Sequence, residues 1–168
     1  MARGKASGRK GHRVGTPAAV ALQRAEVLFT VHEYDHDPAA PSYGTEAADA
    51  MRVVPERVFK TLVVELDGTL VVAVVPVSGS LDLKALAAAA GGKRAAMADT
   101  AAAERATGYV VGGISPIGQK RRLRTVVDGS ALDHETVFVS AGRRGLELEL
   151  DPAALVAVTS AEVAPVGR

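Results

Sequence analysis

The chain has 168 residues, of which 48% are apolar, so it is long enough to bury the core of one domain. It contains no cysteine, which excludes disulfide bonds, thiolate metal sites and a cysteine nucleophile. It also lacks an uninterrupted apolar run of about 18 residues and a secretory signal, so we expect a cytoplasmic protein without a membrane span.

The net charge of +1 conceals an uneven distribution. Residues 1–15 carry five basic residues and no acidic one, which leaves fifteen basic and nineteen acidic residues in the remainder. We interpret residues 1–15 as a disordered basic tail, with weak attraction to nucleic acid as the alternative role. Residues 16–168 are predicted to form a single domain.

The first half of the chain is predicted to alternate short helices and strands. Thr16-Pro17 begins a helix that continues to about residue 27, because a hydroxyl N-cap precedes a proline at the first helical position. Residues 28–34 are predicted to form a strand, 35–44 a loop and 45–52 a short helix.

A β-hairpin is the strongest local prediction. Residues 57–66 and 69–77 are rich in valine and leucine, and the glycine of Asp67-Gly68 between them supplies the positive φ of a tight turn. Ser80 is then predicted to cap a helix that ends at Gly91-Gly92.

The second half is predicted to be mainly β. Asp99 caps a helix that ends at Gly108, and Asp151-Pro152 begins the last helix. Strands are predicted at residues 93–97, 109–113, 124–128, 135–141, 145–150 and 162–166. Because helices and strands do not alternate strictly, we expect an α+β fold with a mixed, largely antiparallel, barrel-like sheet surrounded by helices.

Lys60 is the most informative single residue. On the predicted strand it shares a face with four apolar side chains, Val58, Leu62, Val64 and Leu66. An unpaired ammonium on such a face is costly, so Lys60 must reach a carboxylate, an opening or an anionic ligand. The alternative is that its aliphatic stem extends along the strand and places the ammonium in water.

Residues 32–38, HEYDHDP, combine several titratable side chains. His32 and His36 would align on a helix, but this segment is predicted to be strand and loop, and a metal site would need further ligands. Tyr34 is the better candidate, as a hydroxyl or ring that borders a pocket.

Residues 112–124, GGISPIGQKRRLR, place flexible backbone beside dense positive charge. The segment matches neither a dinucleotide-binding nor a Walker motif. Gly112 and Gly113 would allow a ligand to approach the backbone, and the basic residues that follow could bind phosphates. A turn that leads into a solvated basic face explains the same residues.

Residues 139–150, VSAGRRGLELEL, repeat this arrangement. A strand ends at Ser140, and the turn that follows contains two arginines. Glu147 and Glu149 then lie on one face of the next strand, and one of them could pair with Lys60. Since no GxSxG segment occurs, the sequence does not indicate a serine hydrolase.

Taken together, these segments resemble the YbaK/EbsC family of aminoacyl-tRNA deacylases, relatives of the editing domain inserted in bacterial prolyl-tRNA synthetases. The resemblance extends over residues 16–166 and is most specific in VFKTLV at 58–63, TGYVVGGISPIGQKRRL at 107–123 and VFVSAGRRGLELEL at 137–150. The sequence looks closest to the YbaK branch, which removes cysteine mischarged onto proline tRNA.

The resemblance implies roles for the matching residues. Lys60 matches the key lysine of the family's pocket and would anchor the terminal adenosine or its phosphate and stabilise an oxyanion. The implied substrate-binding residues are Tyr34, Gly112, Gly113, Ser115, Ser140 and Glu147. The residues implied to meet the acceptor-stem phosphates are Lys120, Arg121, Arg122, Arg143 and Arg144. Two departures from the family are Glu147, where aspartate is typical, and Ala141, where the family has glycine.

The resemblance also implies a mechanism without a protein nucleophile or a cofactor. The substrate's own thiol would attack the ester carbonyl and release the tRNA and a cyclic thioester. Prolyl-tRNA synthetase is the partner that the resemblance suggests. The alternatives are a related deacylase that uses water on alanine- or serine-charged tRNA, and a non-catalytic module that binds tRNA or a synthetase.

Overall fold

The computed structural model describes residues 9–10, 15–40 and 42–168. Most of the predicted basic tail, residues 1–8 and 11–14, lies outside the described residues. In the described part the helices are α1 (Pro17–Arg24), α2 (Tyr43–Met51), α3 (Leu83–Ala89), α4 (Thr100–Thr107) and α5 (Pro152–Thr159). The strands are β1 (Arg9–Lys10), β2 (Phe29–Glu33), β3 (Phe59–Leu66), β4 (Thr69–Pro76), β5 (Ala95–Met97), β6 (Arg124–Asp128), β7 (Val137–Arg143), β8 (Leu146–Leu150) and β9 (Glu162–Ala164).

The strands form two sheets. The first is antiparallel, in the order β1-β2-β8-β7, and the second is mixed, in the order β5-β3-β4-β6-β9, with β6 parallel to both of its neighbours. A bridge between Val58 and Phe138 connects the sheets beside β3 and β7. The predicted α+β class and largely antiparallel pairing are confirmed, with the strands divided between two linked sheets.

Valine and leucine on alternate strand positions build the core. Val63, Val72 and Leu148 belong to a large buried cluster to which both sheets contribute. On the other face of the second sheet, a smaller cluster includes Val64 and Leu86 of α3. Burying each such side chain contributes about 1.5–3 kcal/mol, and packing must hold the helices because each has only seven to nine residues.

Side-chain caps fix where the helices begin, and two starts differ from the predictions. Thr16, Asp99 and Asp151 cap α1, α4 and α5 as predicted. The cap of α3 is Asp82, whose carboxylate accepts a hydrogen bond from Ala85 N, so the prediction of Ser80 was wrong. α2 begins at Tyr43, behind Ser42, and not at residue 45.

The predicted strand at 109–113 is a series of turns. Gly112 has a φ of +94°, which breaks an extended run. Side chains, and not a neighbouring strand, satisfy the backbone of Val111: Glu104 accepts from its N–H at 2.9 Å, and Arg144 donates to its carbonyl at 2.8 Å. The apolar residues of this segment therefore do not extend a sheet, and Gly112 is brought to the wall of a cavity.

Candidate active site

A cavity of about 390 Å³ lies beside β3, α2 and the loop that follows α4. Five residues that the sequence singled out line this cavity: Tyr34, Lys60, Gly112, Ser140 and Glu147. They belong to segments that are far apart in the chain, and the pairing of β8 with both β2 and β7 brings three of these segments together. The cavity is therefore the candidate active site.

Lys60 contributes positive charge to the cavity. Its Nζ donates a hydrogen bond of 2.9 Å to the carbonyl oxygen of Gly79, and its side chain is half-buried. The suggested pairing with Glu147 or Glu149 is wrong, since Lys60 forms no ion pair with any described carboxylate. The ammonium can therefore meet an anionic or strongly polar ligand without first breaking a salt bridge.

Hydrogen bonds to residues 166–168 hold the chain segment around Gly79 in place. Ser80 and Arg168 exchange two backbone hydrogen bonds of 2.8 Å each. Asp128 accepts from the backbone N–H groups of Val166 and Gly167 at 3.0 and 2.8 Å. Residues 166–168 thereby support the carbonyl that orients Lys60.

Glu147 brings a buried carboxyl group into the same cavity. The residue is 7% exposed, and its carboxyl group makes no hydrogen bond or ion pair within the described ranges. Burial raises the pKa of Glu147 to about 8. Burial, and then the charge of Glu147, also raise the pKa of Tyr34, so the phenol remains protonated at neutral pH.

Glu149, two residues further along the same face, has a different role. It accepts a hydrogen bond from Thr136 and lies 2.8 Å from Nε2 of His32 and 3.5 Å from Arg57. Although burial opposes its ionisation, the hydrogen bonds from Thr136 and His32 hold the pKa of Glu149 below its usual value. The structure thus assigns one glutamate to the cavity and the other to a polar network.

Glycine is required at position 112 because of its neighbours. A Cβ atom there would lie 2.5 Å from Nε of Arg144 and 2.9 Å from the ring of Tyr43. The guanidinium of Arg144 stacks over that ring, with 4.4 Å from Cζ to the ring centroid. Gly112 therefore allows α2, the loop and the β7–β8 turn to meet at the cavity.

Gly113 and Ser115 do not line the cavity. The N–H of Gly113 already donates to the carbonyl of Val110 at 2.9 Å, so it is not available as a donor to a ligand. Ser115 is fully buried, and its Oγ accepts from Ile117 N at 3.2 Å. Both residues shape the loop, which the sequence pattern could not distinguish from direct ligand contact.

The predicted tRNA-binding residues divide into two groups. Lys120, Arg121 and Arg122 are exposed and lie outside the cavity lining. Arg143 lies 3.5 Å from Glu33 on the surface, and Arg144 is held against Tyr43 and Val111 beside the cavity.

Three further residues of this site were not found from the sequence. Tyr43 and Thr61 line the cavity, and Gly79 contributes the carbonyl that binds Lys60. Thr61 is next to Lys60, and its buried Oγ1 has no hydrogen-bond partner among the residues that the structure describes. A polar residue beside a lysine on an apolar strand was an available signal for Thr61, whereas a backbone carbonyl gives no signal in the sequence.

The described residues include no group of three or more histidine, aspartate or glutamate side chains that could hold a metal ion. None of the described helices is both long enough and apolar enough to cross a membrane.

Comparisons with known proteins relate the fold and the sequence to one family. The family model of the aminoacyl-tRNA editing domain matches residues 37–158. EbsC of Enterococcus faecalis, a candidate Cys-tRNA(Pro)/Cys-tRNA(Cys) deacylase, is 40% identical over 120 residues, which are 71% of this chain and 73% of EbsC.

Solved structures share the same architecture. A candidate trans-editing enzyme for prolyl-tRNA synthetase matches with a TM-score of 0.79 and 24% identity, over 90% of this chain and 95% of that chain. A hypothetical protein gives a TM-score of 0.79 at 26% identity, over 90% of this chain and 99% of its own. At these identities the structural likeness concerns the fold, and the match to EbsC provides the sequence relationship.

Proposed function

The chain belongs to the aminoacyl-tRNA editing domain family, and we propose that it is a trans-editing deacylase that releases cysteine from mischarged Cys-tRNA(Pro). The activity named for EbsC supports this substrate. The observation that carries the proposal is Lys60, which lines the cavity and whose ammonium is held only by the Gly79 carbonyl among the described groups.

Lys60 is proposed to bind the terminal adenosine or its phosphate and to stabilise the oxyanion that forms at the ester carbonyl. A positive charge in a partly dry cavity stabilises developing negative charge more than it would in water. Because no carboxylate in the described part of the chain forms an ion pair with Lys60, its charge remains available to the ester.

The chemistry proposed for this cavity uses the substrate thiol as the nucleophile. The thiol attacks its own ester carbonyl, and the ribose oxygen leaves with the tRNA. Positioning the ester in a reactive conformation can supply much of the acceleration. Alanine lacks this nucleophile, so the same cavity would release cysteine and retain alanine.

Recognition of the tRNA is proposed to be mainly electrostatic. The exposed Lys120, Arg121, Arg122 and Arg143 would contact acceptor-stem phosphates, and Arg144 would position the cavity wall. Prolyl-tRNA synthetase is the proposed partner that provides the tRNA. We propose that both proteins act in the cytoplasm, where translation takes place.

The decisive test is single-turnover deacylation of Cys-tRNA(Pro) and Ala-tRNA(Pro) by the wild type and by Lys60→Ala. We expect rapid release of cysteine only, reduced about 10²-fold or more in Lys60→Ala because an oxyanion-stabilising charge is lost. Lys84→Ala removes an exposed lysine of α3 and should react as the wild type does.

Other results would favour the alternative functions. Equal release of cysteine and alanine would indicate a deacylase that activates water. Binding of tRNA without release of either amino acid would indicate a non-catalytic module. A Lys60→Ala variant that folds normally and deacylates at the wild-type rate would contradict the role given to Lys60.

A further inference from the structure

Among the described residues, the carboxyl group of Glu147 has no partner that explains why it is buried. On β8 it lies opposite Ser140 of β7 and His32 of β2, and all three strands are well packed. His32 is engaged with Glu149, and Glu147 makes no hydrogen bond or ion pair inside the described part of the chain. A buried carboxyl without a partner destabilises a fold, so its presence in a cavity points to a functional role.

We propose that Glu147 is the general base that accepts the proton of the substrate thiol as the sulfur attacks the ester carbonyl. This inference rests on the proposed function. Glu147 lines the cavity together with Lys60, so the base and the oxyanion-stabilising charge are separate groups in one site.

The proposed step balances without any further reactant. The proton passes from the thiol to a carboxylate oxygen of Glu147, and the sulfur forms a bond to the carbonyl carbon. The bond from that carbon to the ribose oxygen breaks, and the ribose oxygen takes the proton from Glu147. The products are the tRNA with a free hydroxyl group and a cyclic thioester, and the carboxylate is regenerated.

The carboxyl group of Glu147 and the substrate thiol have similar pKa values. Burial raises the pKa of Glu147 to about 8, and a free thiol has a pKa of about 8.5. Proton transfer between groups of similar pKa is efficient near the operating pH. The charged or titratable residues that line the cavity with Glu147 are Tyr34, which remains protonated, Tyr43, and Lys60, which is bound to Gly79. His32, opposite Glu147 on β2, is bound to Glu149, and Glu46, whose charge acts on Tyr34, is 2.8 Å from His36.

The primary experiment compares Glu147→Gln with the wild type in single-turnover release of cysteine from Cys-tRNA(Pro) at pH 7. Glutamine has the same shape but cannot accept the proton, so we expect a rate about 10²-fold lower with unchanged tRNA affinity. The deficit should be constant below about pH 8 and become smaller above it, as the thiol ionises without help.

Glu149→Gln is the matched control. It makes the same change on the same strand and face, but outside the cavity, and should leave the rate unchanged. An unchanged rate in Glu147→Gln would overturn the inference. Since the wild type would still release cysteine in that case, the result is distinct from a failure of the proposed function, in which the wild type itself would be inactive.

Two altered esters distinguish a base from a group that binds the substrate ammonium. A 3-mercaptopropionyl ester lacks the ammonium but keeps the thiol, so Glu147→Gln should slow its release as strongly as that of cysteine. A selenocysteine ester carries a nucleophile that is ionised at neutral pH, so Glu147→Gln should release it at the wild-type rate. A defect limited to the cysteine ester, or an equal defect with the selenol, would overturn the inference.

Discussion

Glu147 makes the stability of the fold depend on pH. Its folded pKa of about 8 exceeds the ordinary value of 4.5, so the folded state holds this proton more tightly than the unfolded state. Its contribution to stability is therefore complete below about pH 4.5 and is lost as the pH rises towards 8. At pH 7 the loss amounts to about 3 kcal/mol, because each pKa unit corresponds to about 1.4 kcal/mol.

We therefore expect Glu147→Gln to remove the loss of folding stability that the wild type shows as the pH rises. Between pH 5 and pH 8 its urea midpoint should fall much less than that of the wild type. Glu149→Gln should keep the wild-type fall over this range, because the pKa of Glu149 is lowered and its own contribution disappears only at more acidic pH. Parallel midpoint curves for the wild type and Glu147→Gln would contradict the pKa assigned to Glu147.

At the residue scale, five of the seven pocket residues that the resemblance implied line the cavity, whereas Gly113 and Ser115 do not, and the atoms that pair were not predictable. Lys60 was identifiable because a charged residue interrupts an apolar strand face. Its partner is the Gly79 carbonyl, and backbone carbonyls are present at every position of a chain. Glu147 and Glu149 were equivalent in the strand pattern, and the resemblance alone selected Glu147. In the structure, the contacts of Glu149 with Thr136, His32 and Arg57 distinguish the two.

At the scale of elements, Asp128 at the end of β6 holds residues 166–168 against the second sheet through hydrogen bonds. Its carboxylate accepts from two backbone N–H groups there and from Ser130. Residues 166–168 pair with the segment that contains Ser80, directly after the carbonyl that binds Lys60. The geometry of Lys60 therefore depends on a carboxylate that does not line its cavity.

We expect Asp128→Ala to destabilise the fold by about 2 kcal/mol, because buried N–H groups lose their acceptor. It should also slow deacylation, because Gly79 is less well fixed. Although burial opposes ionisation, hydrogen bonds from Ser130, Gly167 and Val166 hold the pKa of Asp128 below its ordinary value. The wild type therefore has this contribution above about pH 4 and loses it at lower pH, whereas Asp128→Ala lacks it throughout.

Asp133→Ala is the control for this prediction, since Asp133 is exposed and lies in the short helical turn directly after Asp128. Urea unfolding at pH 7 and at pH 3 measures the destabilisation and its pH dependence, and single-turnover deacylation measures the change in rate. A wild-type midpoint and rate in Asp128→Ala would show that residues 166–168 do not support the cavity.

Local chemistry made three helix starts and one hairpin turn predictable, although the starts of α2 and α3 were missed. Thr16, Asp99 and Asp151 cap helices because their side chains meet N–H groups within three residues, and Asp67-Gly68 forms the hairpin turn. The segment 109–113 was predicted wrongly because its valines resemble a strand. Glu104 and Arg144 replace strand pairing there, and Arg144 is 33 residues away from the backbone that it contacts.

At the scale of the whole molecule, the charges favour binding of nucleic acid at defined patches. Residues 16–168 carry a net charge of −4, so the exposed basic groups must act locally and not through the total charge. We expect the affinity for tRNA to fall steeply with salt, and Arg143→Gln to reduce the slope of log K against log salt by about 1. Lys84→Gln is the control, and an unchanged slope in Arg143→Gln would exclude Arg143 from the phosphate contacts.

The class of the fold followed from the sequence, whereas its division into two sheets did not. Hairpin pairing of β3 with β4 is local, but β2 pairs with β8 across more than a hundred residues, and this pairing creates the cavity wall. Such long-range pairing is set by tertiary packing, which periodicity in one segment cannot reveal.

The most direct measurement is a comparison of Cys-tRNA(Pro) and Ser-tRNA(Pro) in single-turnover deacylation by the wild-type protein. The two esters differ by one atom, since an oxygen replaces the sulfur, and a hydroxyl is a far weaker nucleophile at neutral pH than a thiol that Glu147 can deprotonate. We predict rapid release of cysteine and serine release at the rate of the uncatalysed ester. Release of serine at a rate similar to that of cysteine would contradict the proposal that the substrate thiol carries out the reaction in this cavity.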